Sequence, residues 1–481
     1  MRVRNERLLW LLVALAGAWG VWFGTAEGVG VSRDSITYLR GAEHIGHGDG
    51  YVGVGDTGRF GPVDHWPPLY SMTIALPVAA GLSVTQAARL VNALALFALL
   101  IVTALLVRRL APDAALAPLI AMIAVLVAPT ILRNHLMAWS ESIFLPLVLT
   151  GFLKVHDYLA RDRVGDLAAA ATCFGLAAVD RYSGVAFIAA LTVVLALRDV
   201  AAGGRRRFVR PLTFVVVAGI PTAVWVVRNM LVASRAHDRP FSPHMPSMNH
   251  VRALLDSLSL WLLPQPVPFR ARVLALLVVT TLAVLLARRH RARPGSFWTV
   301  TGLCAAAYLG FVLVTISFFD FDVNYDTRMM SPILVLVVVY LATVGRRAFA
   351  RPMAAPAKLL VVLFGAALVL LAGYSVTLVR AGHDEPAQFA SDRWTHARAW
   401  ELVASVPSDV PVYASSPYVT AYFVDREVLP LPETPPGGAG FLLFYPNVDG
   451  AGATLDPAAR SLLNASAVDS TETVILYRIE R

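Results

Sequence analysis

The chain has 481 residues, of which 57% are hydrophobic and only 15% charged, and its mean hydropathy is +0.62. That balance lies well beyond a soluble globular chain and points to a polytopic membrane protein. The formal charge of +9 does not point to nucleic acid, because the arginines gather in short clusters between apolar runs rather than along one aromatic-interleaved stripe.

The first apolar run, Leu8–Gly20, follows Arg2, Arg4 and Arg7. No convincing small-residue cleavage site follows it, so it reads as a retained helix rather than a secretory signal. Ten more runs of roughly 20 residues or somewhat fewer follow. With the first, the spans are Leu8–Thr25, Thr85–Val107, Ala114–Leu132, Ser142–Tyr158, Asp166–Val179, Gly184–Leu197, Leu212–Val232, Val273–Ala287, Phe297–Phe318, Met329–Thr343 and Leu359–Val379. Cys173 and Cys304 both fall inside these runs, which excludes a disulfide framework and a zinc site of paired-ligand spacing.

Short loops rich in Lys and Arg stay cytoplasmic. With the amino terminus inside, every dense basic cluster lands on that side: Arg108/Arg109, Arg161/Arg163, Arg198 with Arg205–Arg207 and Arg210, Arg288 to Arg293, and Arg346/Arg347/Arg351. The opposite face then receives Ala26–Val84, Arg133–Glu141, Asp180–Ser183, Ala233–Arg272, Phe319–Arg328 and the tail from Arg380. Trp66–Ala80 is apolar, but Pro67 and Pro68 open it and Pro77 interrupts it, so it reads as interfacial or re-entrant. Asp34–His47 has apolar Ile36, Leu39 and Ile45 among polar neighbours, which predicts a helix lying on the outer surface and ended by Gly46, Gly48 and Gly50.

From Arg380 the pattern shortens. Gln388–Val406, Val419–Asp425 and Pro457–Asn464 read as helices, and Val410–Ala414, Phe441–Tyr445 and Val474–Ile479 as strands. The stretch Thr434–Gly440 lacks the strand-to-helix setting of a phosphate-binding glycine loop. The fold class is therefore mainly α: a transmembrane bundle of about 11 helices over residues 1–379, with a large first extracytoplasmic loop (26–84) and a small extracytoplasmic α/β domain over 380–481.

The outer segments carry the unusual residues. Asp34 stands just past the first span in Ser32-Arg33-Asp34-Ser35-Ile36-Thr37-Tyr38, and the loop closes with His65-Trp66-Pro67-Pro68-Leu69-Tyr70. Ala138-Trp139-Ser140-Glu141, Asp180-Arg181-Tyr182-Ser183-Gly184, Trp225-Val226-Val227-Arg228-Asn229 and Asp326-Thr327-Arg328 follow on the same face. This succession resembles the GT-C class of integral-membrane glycosyltransferases, and within it the branch of protein O-mannosyltransferases and aminoarabinose transferases. The resemblance implies a polyprenyl-phosphate sugar donor, outer-face chemistry and an inverting reaction. Two departures stand out: Asp34 is followed by Ser35 where relatives carry a second acid, and Glu141 stands where an Asp is common.

Moving a glycosyl group from a lipid phosphate to a hydroxyl needs a base near the acceptor and cationic or donor groups around the leaving phosphate. Asp34 is the candidate base, its structural alternative being a helix N-cap. Glu141 is the assisting acid, placed to pair with Arg181 or Arg328, to assist the acceptor or to hold a cation, its alternative a favourable macrodipole charge at a helix start. Arg181, Arg228 and Arg328 lie at outer span ends, against the usual rule for arginine, and a guanidinium fork suits phosphate oxygens. Their alternatives are ion pairs, Arg181 with Asp180 and Arg328 with Asp326 or Glu141. Tyr38, His65, Trp66 and Tyr325 are candidates to line the substrate cleft, with membrane-belt anchoring as the alternative. Arg133, Asn134 and His135 rank behind Arg181 as donor or headgroup contacts. Mg²⁺ or Mn²⁺ is a candidate cofactor, although His44 and His47 read better as a solvated helix face than as a metal pair. His383, Asp384, Glu385, Asp392 and His396 read as a surface polar cluster.

The expected partners are the polyprenyl-phosphate sugar, a glycan, lipid or protein acceptor, and membrane lipids. The expected location is a bacterial plasma membrane. The rival readings are a transporter or flippase of a lipid-linked glycan, which places ionisable groups at the membrane midplane, and a non-catalytic membrane scaffold.

Overall fold

The computed structural model describes residues 2–55, 58–201, 208–233, 241–287, 296–349, 355–424, 426–432, 439–446, 448, 454–471 and 473–479. Arg205–Arg207, Arg288–Arg293, Arg351, Asp425 and most of Thr434–Gly440 lie outside them. The backbone separates into two compact units, one of residues 1–24, 90–136 and 140–380, the other of 25–89, 137–139 and 381–481.

All eleven apolar runs fall on helices. Among the described residues, seven helices are long and apolar enough to cross a membrane: Asn5–Phe23, Val84–Leu110, Glu141–Arg161, Val209–Ala233, Phe297–Phe318, Thr327–Val344 and Lys358–Asp384. An eighth span is broken, with Ala117–Leu126 and Pro129–Leu136 meeting at 58°. Pro129 opens the second piece, where its missing N–H and fixed φ end one helix and suit the start of the next. Val164–Ala178 and Val185–Ala201 are shorter apolar helices, and Phe269–Ala287 is the remaining one. Lipid is the natural solvent for the outer faces of the long helices. Along Val209–Ala233, residues Val216, Ile220, Val224, Val227 and Leu231 are all exposed, an apolar stripe that water would not tolerate. The chain is a multi-pass integral membrane protein.

The core of the first unit is a run of aromatic rings. Phe187 stacks on Tyr308 at 5.3 Å, while Phe152 meets Phe174 and Phe187 edge-on at 5.4 and 5.7 Å. These contacts lock Glu141–Arg161, Val164–Ala178, Val185–Ala201 and Phe297–Phe318 together. Loops that the arginine pattern assigned to one side also meet. Arg108 pairs with Glu6 at 3.5 Å, Arg109 and Arg161 with Asp157 at 3.7 and 3.5 Å, and Arg210 with Asp162 at 2.6 Å.

The second unit is built around the helix Arg33–His47. Ser32 is its N-cap residue and Gly48 its C-cap, with a left-handed φ of 92° that a side chain would strain. It packs on Leu69–Ala79, which at 11 residues is too short to cross a ~30 Å hydrocarbon layer. It also packs on a hairpin that sequence reading missed, β1 (Val52–Val54) against β2 (Phe60–Pro62). The tail adds β3 (Val412–Ala414), β4 (Leu429–Pro430), β5 (Gly440–Phe444), β6 (Ala465–Ser470) and β7 (Ile475–Ile479), in the sheet order β4-β3-β5-β7-β6. β4, β3 and β5 are parallel, whereas β7 is antiparallel to both β5 and β6.

First loop and tail are stitched together by backbone. The Val31 N–H donates to Ala387 O and the Phe389 N–H to Val31 O, at 3.1 and 3.0 Å. The helix expected over Gln388–Val406 is instead two short ones, Asp392–Thr395 and Arg398–Ala404. Ala397 is extended between them, which lets Trp394 and Trp400 both turn inward, with Trp400 Nε1 donating to the Trp394 carbonyl.

Candidate functional site

Three of the predicted residues converge in the first unit. Glu141 begins the helix Glu141–Arg161, its side chain only 1% exposed. Arg181 Nη1 approaches Glu141 Oε1 at 2.6 Å, Arg328 Nε donates to the same oxygen at 2.8 Å, and Arg328 Nη2 donates to Oε2 at 3.3 Å. Removed from water, one carboxylate thus holds two guanidinium groups, with the Asp326 carboxyl near enough to act on both arginines.

Each arginine is fixed by its own element. Arg181 is the extended residue before the short turn Tyr182–Gly184, which tightens against the preceding helix. A Cβ on Gly184 would meet Ala178 N at 2.7 Å and Ala177 C at 2.8 Å, so only glycine lets this turn close. Arg181 also donates to Ser140 Oγ at 3.1 Å and to Met329 Sδ at 3.3 Å. Arg328 occupies the first turn of Thr327–Phe349. Asp326 Oδ1 accepts the Met329 N–H at 2.8 Å there, and the Tyr308 hydroxyl donates to Met329 O at 2.9 Å.

The pair expected from adjacency, Arg181 with Asp180, is not hydrogen-bonded. Asp180 is fully buried and neither of its oxygens has a hydrogen-bond partner. Burial pushes this carboxyl well above its usual range, the nearby Arg181 offsetting only part of the effect. Burial thus favours the neutral form of Asp180.

Arg228 is linked to the cluster through aromatic side chains. Its guanidinium lies 5.2 Å from the Trp225 ring centroid and Nη1 donates to Asn229 Oδ1 at 3.1 Å, while Trp225 Nε1 donates to the Tyr182 hydroxyl at 2.9 Å. The Tyr325 hydroxyl is turned to the Leu309 carbonyl at 3.2 Å. Asn134 and His135 are buried in the bundle, with His135 Nδ1 2.7 Å from Ile131 O, whereas Arg133 is exposed. Burial takes the first two away from any headgroup.

The other predicted residues belong to the second unit. Asp34 lies in the first turn of Arg33–His47, two residues inside the N-cap Ser32, so it favours the helix by charge rather than as the cap itself. Trp139 Nε1 donates to Ser32 Oγ at 2.8 Å and the Ala138 N–H to Gly30 O at 2.9 Å, bracing the start of that helix. Tyr38 is buried edge-on to Tyr70 at 5.3 Å, and the His65 and Trp66 rings lie 4.0 Å apart. Sequence reading passed over Ser140, Tyr308 and Asp64. Asp64 is a buried acid immediately before His65, and its place in an apolar loop was the available signal.

No three His, Cys, Asp or Glu side chains converge as a metal group among the described residues. The Glu141 carboxylate does not fit a divalent cation either, because both of its oxygens accept from guanidinium.

No protein-family model and no curated protein matches the sequence. Solved structures do match by backbone. ArnT from Cupriavidus metallidurans, solved with undecaprenyl phosphate bound, superposes at a TM-score of 0.63 with 15% identity over 98% of each chain. A mutant of the mycobacterial arabinofuranosyltransferase AftD reaches 0.55 with 14% identity over 98% of this chain and 41% of that one. The apo oligosaccharyltransferase of Archaeoglobus fulgidus reaches 0.51 with 11% identity over 88% of this chain and 64% of that one. The chain has the fold of the GT-C glycosyltransferases.

Proposed function

We propose that this chain is a glycosyltransferase that moves a sugar from a polyprenyl-phosphate carrier to an acceptor hydroxyl on the outer face of a bacterial plasma membrane, with its amino terminus cytoplasmic. The observation that carries the reading is the convergence of Arg181 and Arg328 on the buried Glu141. A lipid phosphate is the anion such a site suits, and ArnT, which shares the fold, is solved with undecaprenyl phosphate.

In this reading the acceptor oxygen attacks the anomeric carbon while the bond from that carbon to the phosphate oxygen breaks. The electron pair leaves with the polyprenyl phosphate, and Arg181, Arg328 and, beside them, Arg228 meet its charge. The acceptor proton passes to Asp34. Glu141 assists by holding two guanidiniums in place, so their orientation costs nothing at the moment of reaction. No step runs through a metal, and turnover in excess EDTA is expected to persist.

Purified full-length protein is given radiolabelled undecaprenyl-phosphate sugars. Wild type is expected to consume at least one of them. Asp34→Asn should slow transfer by about 10²–10⁴-fold, and Arg181→Ala should weaken donor binding. Unchanged turnover in Asp34→Asn removes the base, unchanged donor binding in Arg181→Ala removes the phosphate contact, and no donor consumed by wild type removes the reading as a whole.

A further inference from the structure

The second unit holds a groove of about 360 Å³, toward the small end of ligand clefts, which run to ~300–1,000 Å³. Its polar wall is the helix Arg33–His47. There Arg40 Nη1 donates to Glu43 Oε2 at 3.0 Å, and Nη2 donates to the Tyr422 carbonyl at 2.7 Å. The guanidinium also lies 5.5 Å from the Tyr422 ring centroid. These contacts anchor Arg40 beside Glu43, which lines the groove and whose side chain is 36% exposed. The opposite wall comes from the tail, where the Tyr422 and Phe423 rings stand 5.2 Å apart at 70°, with Thr395 at the rim.

This is an unusual wall for a lipid pocket and a poor one for an anion. Arg40 is already neutralised by Glu43, and Glu27, also on the lining, adds negative charge with Arg89 close enough to offset it. The groove is therefore close to neutral and offers a phosphate no anchor. A fixed carboxylate beside a fixed guanidinium presents acceptor and donor side by side, which matches a pair of neighbouring hydroxyls. Tyr422 and Phe423 add apolar side-chain surface beside this pair, with Phe423 stacked on Trp400 at 4.6 Å and Arg40 over the Tyr422 ring.

We propose that this groove is a saccharide subsite that takes an uncharged glycan segment through its hydroxyls. Resting on the glycosyltransferase reading, the glycan is the acceptor. Arg40 stands six residues beyond Asp34 on the same helix, roughly 9 Å along its axis, so one element carries both the base and the acceptor grip.

The test is saturation-transfer NMR on the full chain in detergent, without donor, using millimolar mannotriose, arabinotriose and maltotriose as probes. At least one trisaccharide should receive saturation. Its binding should weaken tenfold or more in Glu43→Gln and in Thr395→Trp, a substitution that fills the groove from an exposed position and removes no buried side chain. Thermal midpoints equal to wild type would show that both variants fold. The proposal is overturned if no trisaccharide binds, if Thr395→Trp leaves binding intact, or if glycerol phosphate displaces the sugar. Donor consumption by wild type is assayed separately. A trisaccharide bound with no donor consumed removes the glycosyltransferase reading and leaves the subsite; donor consumed with no trisaccharide bound does the reverse.

Discussion

Glu141 and Asp180 are both carboxylates out of contact with water, and they differ in what their neighbours donate to them. Glu141 receives three guanidinium N–H groups from two arginines; Asp180 receives none. Replacing Glu141 by Gln removes the carboxylate that Arg181 and Arg328 share. That should cost about 3–5 kcal/mol, read as a lowered midpoint of chemical unfolding in detergent; an unchanged midpoint would mean that the cluster contributes no net stability. Asp180 has the opposite linkage. Its folded-state pKa is raised, while the unfolded chain releases the proton near pH 4. Its contribution is full below that value and is lost as pH rises toward the raised one. Asp180→Asn should therefore show a smaller fall in thermal midpoint than wild type as pH rises above about 5, and parallel curves would refute the assignment. The charged residues at span ends were legible in the sequence, as was Glu141 as a partner for Arg181 or Arg328; the alternative pairing of Arg181 with Asp180 was not met. Arg181 is extended, at φ −148° and ψ 130°, so adjacent side chains point opposite ways and Asp180 cannot serve it. Its counter-ion lies 40 positions away in a helix start.

At the scale of the element, long spans could be read from hydropathy, and short pieces could not. The 12-residue helix Met248–Ser259 was missed because it is too short to register as a span. Its capping box also uses His250, whose Nδ1 accepts the Ser247 N–H at 2.9 Å, where the usual signature is Glu or Gln. β6, Ala-Ser-Ala-Val-Asp-Ser, lacks the alternation of a half-buried strand and forms because β7 offers it an edge. The single helix expected over Gln388–Val406 failed because two tryptophans compete for one interior. The tight turn Tyr182–Gly184 makes a sharper claim. Gly184→Ala pushes a methyl into the backbone of residues 177–178, so the turn must open and carry Arg181 away from Glu141. Donor consumption should fall by tenfold or more although no charged group has changed. Full activity in Gly184→Ala would show that the turn does not set the position of the arginine.

For the molecule as a whole, the arginine clusters predict an orientation that single cysteines can check. In a background lacking Cys173 and Cys304, cysteines at Arg59 and Asp320 should react with a membrane-impermeant maleimide added to intact cells, and one at Asp162 should react only after lysis. Any reversal would overturn the proposed topology. The Glu141 cluster also bears on how the chain is made. Arg328 lies 187 residues beyond Glu141. During synthesis the acid therefore enters the bilayer region long before its second counter-ion leaves the ribosome. Until then its burial is only partly compensated, so a chain stalled or cleaved before residue 328 carries a polar lesion at the mouth of a span. Such fragments would be natural targets for membrane proteases, which makes the last guanidinium a signature of completed assembly.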